Sequence, residues 1–204
     1  VTRIIGGSAG GRRLQTPTGD ATRPTTDRVR EALFSSVEAW CGSLGGLPGM
    51  RFLDLYAGSG AVGLEAASRG AAAVTLVESD RRTAALINAN ARSLGFRDVD
   101  VRARSVRAVL AEPPPAPYDV VFSDPPYPLP DDALTEDLAQ LQAWLAPGAL
   151  VVVERSRRSP EPAWPAGVRA HRSKRYGETT LWYGRADPPP GPDAGPDRDT
   201  QETP

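Results

Sequence analysis

The 204 residues include one cysteine, one histidine and one lysine. Cys41 alone leaves no internal disulfide framework and no cysteine-rich metal site. With His171 as the only imidazole, zinc chemistry and a Ser-His-Asp nucleophile have little to be built from. Long hydrophobic runs are missing too: no stretch approaches the ~18 apolar residues of a membrane span. The opening "VTRIIGGSAGGRRL" carries no apolar core of a signal peptide. These absences predict a cytoplasmic protein without metal or membrane, and the chain is expected to be a monomer.

What is present is ordinary in amount and uneven in placement. Hydrophobic residues make up 40% and charged residues 24%, which fits one globular domain with a small appendage. The formal net charge of −1 conceals three blocks. Residues 1–30 hold six arginines (Arg3, Arg12, Arg13, Arg23, Arg28 and Arg30) against Asp20 and Asp27. Residues 155–175 hold seven cations against Glu161, and the chain from 186 onward holds five acids against Arg198. The two basic regions form a nucleic-acid footprint if the fold brings them together. A solvated surface rich in arginine accounts for the same charges otherwise, since Lys174 is the only lysine.

Three zones follow along the chain. Residues 1–45 read as a glycine-linked β-hairpin, "RII" and "RRL" around "GGSAGG", and then one amphipathic helix. In that helix Val29, Leu33, Val37 and Trp40 step by helical intervals after Pro24 and capping threonines. Residues 46–185 alternate strand and helix. "RFLDLY", "AAVTLVE", "VDVRA", "YDVVF" and "ALVVVE" are the strands; "AVGLEAASRG", "SDRRTAALINANARSLGF", "SVRAVLAE" and "DDALTEDLAQLQAWLAPG" are the helices. Apolar strands separated by helices predict an α/β fold, a mostly parallel sheet with helices on both faces. Residues 168–183 add an antiparallel hairpin around "YGE". Residues 186–204, "ADPPPGPDAGPDRDTQETP", have too little apolar content to pack and read as a disordered acidic tail.

Chemistry concentrates in two segments. In "LDLYAGSGAVGLEA" (53–66), Gly58, Gly60 and Gly63 satisfy G-x-G-x-x-G, and Glu78 ends the next strand. Glycines let backbone approach a ligand, and an acid about 20 residues on grips ribose hydroxyls. The motif alone suits a dinucleotide or S-adenosylmethionine equally, or marks a tight turn with no ligand. Asp54 tips the reading. A pyrophosphate lies against such a loop and disfavours a carboxylate there, whereas S-adenosylmethionine carries an ammonium, a sulfonium and no phosphate.

The second segment is "FSDPPYPLP" (122–130). Prolines cannot extend a sheet ladder, so Asp124 and Tyr127 sit on a stiff corner leaving "YDVVF". If that strand is the fourth and neighbours the first, the corner lies beside the glycine loop at the switch in strand order. The exocyclic amine of a nucleobase is a poor nucleophile because its lone pair is delocalised into the ring. Asp124 and the carbonyl of Pro125 can each accept one N–H, aiming the nitrogen lone pair at a methyl sulfonium. Pro125 and Pro126 fix that carbonyl, and Tyr127 can stack on an extruded base. Catalysis would then be positioning plus electrostatic stabilisation. The bland alternative is a rigid turn with a solvated aspartate.

"LDLYAGSGAVGLEA", "VESD" and "DPPY", in this order, resemble class I (Rossmann-like) S-adenosylmethionine-dependent amino methyltransferases. The flanks "TRIIGG…GGRRL", "TRPTTDRVREALF" and "RRSKRYGETTL" resemble the bacterial enzymes that methylate N2 of a guanine, guanine 966, in 16S ribosomal RNA. The resemblance spans residues 2–183. It implies a seven-stranded sheet preceded by an N-terminal hairpin and helix. It also implies 16S rRNA as partner, within the small subunit or a late assembly intermediate. Carried onto this sequence, it places Asp54, Tyr56, Ala57, Gly58, Gly60, Glu78, Ser79 and Ser105 around the methyl donor. Asp124, Pro125, Pro126 and Tyr127 fall at the guanine. Arg3, Arg12, Arg13, Arg23, Thr25, Asp27, Arg28 and Arg30 fall on the RNA side, orienting the RNA or the N-terminal helix. One departure stands out: where such enzymes often place an acid for the adenine amino group, "VRARSVRAV" offers only Ser105.

Other readings remain. An adenine-N6 DNA methyltransferase usually needs a target-recognition insertion, which this chain lacks. A non-catalytic ribosome-assembly factor would have no need of an intact "DPPY". A nicotinamide dehydrogenase lacks its histidine or tyrosine–lysine pair. His171 reads as a surface residue, Cys41 as a thiol at a helix end, and Trp144 and Trp182 as core. Trp40 and Trp164 are left unassigned.

Overall fold

The computed structural model describes residues 2–17, 26–43, 45–127 and 129–188. Seven strands form one sheet: β1 (Arg51–Leu55), β2 (Ala73–Val77), β3 (Val99–Arg102), β4 (Tyr118–Ser123), β5 (Leu145–Ser156), β6 (Val168–Tyr176) and β7 (Thr179–Ala186). Their order is β3-β2-β1-β4-β5-β7-β6. The first five strands pair in parallel, while β7 runs antiparallel to both β5 and β6. This is the mostly parallel seven-stranded α/β architecture that the alternation of apolar runs and helical periods predicts.

Five helices cover the sheet: α1 (Asp27–Cys41), α2 (Ala61–Ser68), α3 (Arg81–Leu94), α4 (Val106–Leu110) and α5 (Asp131–Ala139). Local chemistry sets their ends. Thr26 accepts the Val29 N–H and Asp80 the Thr83 N–H, while Gly42 and Gly95 close α1 and α3 in left-handed conformation. Alternation along each strand splits the core into two layers. Phe52, Val120, Phe122, Leu150 and Val152 meet Leu33 and Phe34 of α1, Leu64 of α2 and Ile87 of α3. Leu53, Leu55, Val121, Val151 and Val153 meet Val109 of α4, Leu134 and Leu138 of α5, and Trp144.

The N-terminal hairpin is present in short form, with one antiparallel bridge, Arg3 with Arg13, around a 3-10 turn at Gly7–Ala9. Across it the Ile4 N–H donates to the Arg12 carbonyl and the Leu14 N–H to the Thr2 carbonyl, both at 2.9 Å, while the Ile5, Gly6 and Ala9 N–H groups turn to side chains of the helix over Ala61–Ser68. Two expectations need correction. The helix read through "DDALTEDLAQLQAWLAPG" ends at Ala139, tightens to a 3-10 turn over Gln140–Trp144, and gives way to β5 at Leu145. Three residues per turn bring Leu141 and Trp144 onto one line. Both are fully buried, and the Trp144 indole N–H donates to the Leu110 carbonyl at 3.3 Å. Finally, the tail does not begin at 186. Ala186 closes β7, and the Asp187 N–H donates to the Gly167 carbonyl at 2.8 Å. The rest of the segment read as a tail, 189–204, lies outside the described residues.

Candidate active site

β1 lies between β2 and β4, so the direction of chain progress across the sheet reverses at its carboxyl end. A ligand crevice forms at such a point. Leu55 of β1 stands opposite Ser123 of β4, which sets the residues after each strand, Tyr56 and Asp124, side by side. The proline corner and the glycine loop are thus neighbours, and the Asp124 N–H points at the Leu55 carbonyl, 3.5 Å away.

The loop is built from unusual backbone. Gly58 and Gly60 have φ of 54° and 76°, and Tyr56, at 59°, is the one non-glycine with positive φ among the described residues. Gly63 is required for another reason: a methyl group there would lie 2.5 Å from Leu76 Cδ2, so only glycine lets α2 sit on β2. Asp54, buried under the loop, accepts the Gly63 N–H at 2.8 Å. Burial raises its pKa to about 7; the Gly63 N–H opposes the rise and the Glu78 charge adds to it. Glu78 accepts the Gly58 N–H at 2.9 Å and the Asp80 N–H at 2.8 Å, tying the loop to the end of β2. Ala57 donates to the Val77 carbonyl at 2.8 Å. Ser79 is exposed, with its hydroxyl 3.5 Å from Glu78. Ser105 follows β3 and accepts the Ala108 N–H at 3.3 Å, capping α4.

Two carboxylates therefore bracket the glycine loop, Asp54 beneath it and Glu78 at its flank. That donor set fits a ligand with cationic groups and a ribose diol, and it does not fit a pyrophosphate. S-adenosylmethionine meets the description.

At the corner, Asp124 is half-buried, Pro125 buried and Pro126 exposed. Tyr127 is 86% exposed, the one large hydrophobic side chain left in solvent among the described residues. Leu129 donates to the Pro126 carbonyl at 2.8 Å, and Arg155 at the end of β5 binds Asp131 at the start of α5 at 2.6 Å. The corner is braced from both sides.

Tyr56 is placed differently from the other loop residues. Its hydroxyl donates to the buried Asp137 of α5 in a short hydrogen bond, with Arg107 3.6 Å from the second carboxylate oxygen. Burial, and then the Asp137 acceptor, raise the tyrosine's pKa. Asp137 has a signal in the sequence. Leu134, Asp137, Leu138 and Leu141 form one helical stripe, and an acid on such a stripe needs a buried partner.

The arginine set divides. Arg13 and Arg28 are exposed, Arg3 pairs with Asp27 at 3.6 Å, and Arg12 donates to the Ser93 carbonyl at 3.1 Å. Arg30 is fully buried, donating to the Arg3 carbonyl at 2.6 Å and to Asp27 at 2.9 Å. It braces the N-terminal segment on α1 and is closed off from solvent, so of its two expected roles the structure leaves orientation of the N-terminal helix and not direct contact with RNA. Arg23 and Thr25 lie outside the described residues. Sequence reasoning misses Glu65, Ser68 and Asn90, which hold the N-terminal segment. Glu65 accepts the Ile5 and Gly6 N–H groups at 2.7 and 2.8 Å. Ser68 accepts the Ala9 N–H at 2.9 Å, and Asn90 bonds both the N–H and the carbonyl of Gln15.

Among the described residues no cluster of three or more histidine, cysteine, aspartate or glutamate side chains could hold a metal ion. No helix there is long and apolar enough to cross a membrane.

Residues 2–185 match the family model described as conserved hypothetical protein 95. The ribosomal RNA small subunit methyltransferase D of Escherichia coli (strain K12) is 39% identical over 181 residues, covering 86% of this chain and 85% of its own. A solved Escherichia coli structure, provisionally described as a methyltransferase, superposes with a TM-score of 0.79 at 34% identity, over 91% of this chain and 98% of that one. A Streptococcus mutans chain, provisionally described as S-adenosylmethionine-dependent, reaches a TM-score of 0.63 at 15% identity. It spans 78% of this chain and 48% of its own, a likeness of fold alone.

Proposed function

The chain belongs to the conserved hypothetical protein 95 family, and we propose that it transfers the methyl group of S-adenosylmethionine to N2 of one guanine, guanine 966, in 16S ribosomal RNA. The observation that carries this reading is the register of β1 with β4, Leu55 opposite Ser123, which sets Asp124 beside the glycine loop. Asp54, Gly58, Gly60 and Glu78 hold the donor, with Ala57, Ser79 and Ser105 along its edge. The donor, when bound, supplies an electrophilic methyl group.

The remaining work falls to the corner. The Asp124 carboxylate and the Pro125 carbonyl each accept an N–H of the guanine amine, which withdraws the nitrogen lone pair from the ring and points it into the cleft. Positive charge growing on that nitrogen is stabilised by the same carboxylate, toward which the displaced amine proton leaves, and S-adenosylhomocysteine is the other product. Pro125 and Pro126 remove backbone donors that would compete, and exposed Tyr127 offers its ring face to the base. The curated relative named above acts, by its name, on small-subunit ribosomal RNA. That supports small-subunit ribosomal RNA as the substrate; the proposed form of it is the small subunit or a late assembly intermediate, and the proposed enzyme is a cytoplasmic monomer.

The test is methyl transfer from labelled S-adenosylmethionine to unmodified small subunits, followed by nucleoside analysis. N2-methylguanosine at one site is expected with the native chain, and none with Asp124→Ala, which still binds the donor. Label in DNA or protein but not in RNA would overturn the substrate. An active Asp124→Ala enzyme would overturn the role given to the corner.

A further inference from the structure

β6 is the outer strand of the sheet, and every residue from Arg169 to Arg175 is exposed. It carries Arg169, Arg172, Lys174 and Arg175, with His171 between them and no acid. Arg169 is paired with Asp187 at 2.5 Å. None of the ion pairs among the described residues uses Arg172, Lys174 or Arg175, nor Arg158 in the connection before the strand. Arg172 and Lys174 are instead spread over aromatic rings. Their cationic groups lie 4.7 Å from the centre of Tyr183 and 5.7 Å from that of Tyr176, respectively. Such stacking holds a cation in place and leaves its N–H donors outward.

The sheet register fixes where this strand stands relative to the corner. Ser123 pairs with Val153, Val153 with Trp182, and Trp182 with Ser173. One step further toward the carboxyl ends, Asp124 is level with Glu154, Leu181 and Lys174. Lys174, Arg175 and Tyr176 therefore lie level with the proline corner, three strand spacings away, or about 14 Å. A nucleotide chain with its target base in the corner has flanking phosphates at that range.

We propose that the Arg172–Arg175 stretch of β6 is a phosphate rail, which binds the RNA backbone beside the target nucleotide. This rests on the RNA reading above and extends it to a surface outside the cleft. Cations on an edge strand also discourage sheet-to-sheet pairing. That duty alone does not require free cations on both faces of the strand, level with the site.

The experiment compares the native chain with Arg172→Gln/Lys174→Gln/Arg175→Gln. It measures binding to 16S rRNA across a salt series, methyl-transfer kinetics on unmodified small subunits, and S-adenosylmethionine affinity. Three lost phosphate contacts should flatten the log K against log [salt] slope by about 2, at roughly 0.7 per contact on single strands. The KM for subunits should rise at least tenfold, with kcat and donor affinity within twofold. If the triple variant loses donor binding, Lys174→Gln alone should still flatten the slope by about 0.7. Unchanged slope and KM in a variant that binds donor would overturn the rail, as would a variant whose only change is self-association. A native chain with neither salt-dependent RNA binding nor RNA methylation would overturn the RNA reading itself.

Discussion

Replacing Glu65 with alanine tests whether the N-terminal segment is held as the structure indicates. The Glu65 side chain is fully buried and accepts three hydrogen bonds: from Ile5 and Gly6, and from Arg69 Nε at 2.9 Å. Buried Arg30 lies 3.9 Å from the same carboxylate. Glu65→Ala removes the anion and leaves two amides and two guanidinium groups facing an empty volume. Breaking a buried ion pair from one side costs about 3–5 kcal/mol, a large share of the ~5–15 kcal/mol that holds a domain together. For a chain of this size the midpoint should fall by about 6–20 °C. Glu65→Gln keeps the shape and one acceptor oxygen but turns an NH₂ group toward a donor, so an intermediate loss is expected. Thermal unfolding followed by circular dichroism gives the magnitude, and amide hydrogen exchange gives the place. Ile5, Gly6 and Ala9 should lose protection before the strands do. A midpoint within about 2 °C of the native chain, with Ile5 and Gly6 still protected, would refute the reasoning.

Asp54 has a pKa of about 7 in the fold against an ordinary 3.8, so between those values the native state binds the extra proton. The stability this group contributes is complete below about pH 4 and is lost as pH rises through about 7. Asp54→Asn should remove that slope in urea unfolding. Donor affinity of the native chain should rise over the same range, as the ionised carboxylate appears. Tyr56→Phe leaves Asp137 without its hydroxyl donor and should cost about 1–3 kcal/mol in denaturant unfolding. Donor affinity, measured by calorimetry, should change less than threefold, because the hydroxyl is directed at α5. A chain beginning at residue 46 should fail to fold as a soluble unit, with loss of near-ultraviolet circular dichroism and dye binding as the readouts. It would uncover the sheet face carrying Phe52, Val120, Phe122, Leu150 and Val152.

Much of the fold is legible because its signals are local. Strands buried on both faces read as apolar runs, so "YDVVF" and "ALVVVE" stand out, and the 3.6-residue period marks Ala84, Ile87 and Ala91 on α3. The glycine loop and the proline corner are legible for a related reason: unusual backbone restricts which residues can occupy it. Contacts across the chain leave no such trace. Asn90 meets Gln15 across 75 positions and Glu65 meets Ile5 across 60, and no window of sequence contains both partners. Arg30 meets the Arg3 carbonyl across 27 positions, so its burial is not legible from its basic neighbours.

Glu65 nonetheless had a signal, and following it joins the N-terminal segment to the chemistry. In "AVGLEAAS" it is the only charged residue of a helix otherwise apolar or small, so it is either at the surface or paired inside. It is inside, two residues after Gly63, whose N–H is bound by Asp54. α2 is thus held on one side by the carboxylate beneath the donor loop and on the other by the amides of the N-terminal segment. Arg30, from α1, closes the same cluster. Ile4, Leu14, Leu33 and Phe34 belong to one core with Phe52, Val120 and Phe122 of the sheet. The boundary drawn at residue 45 therefore divides roles along the chain and not hydrophobic cores. A segment that carries exposed arginines is, through Glu65, part of what fixes the helix that begins at the glycine loop.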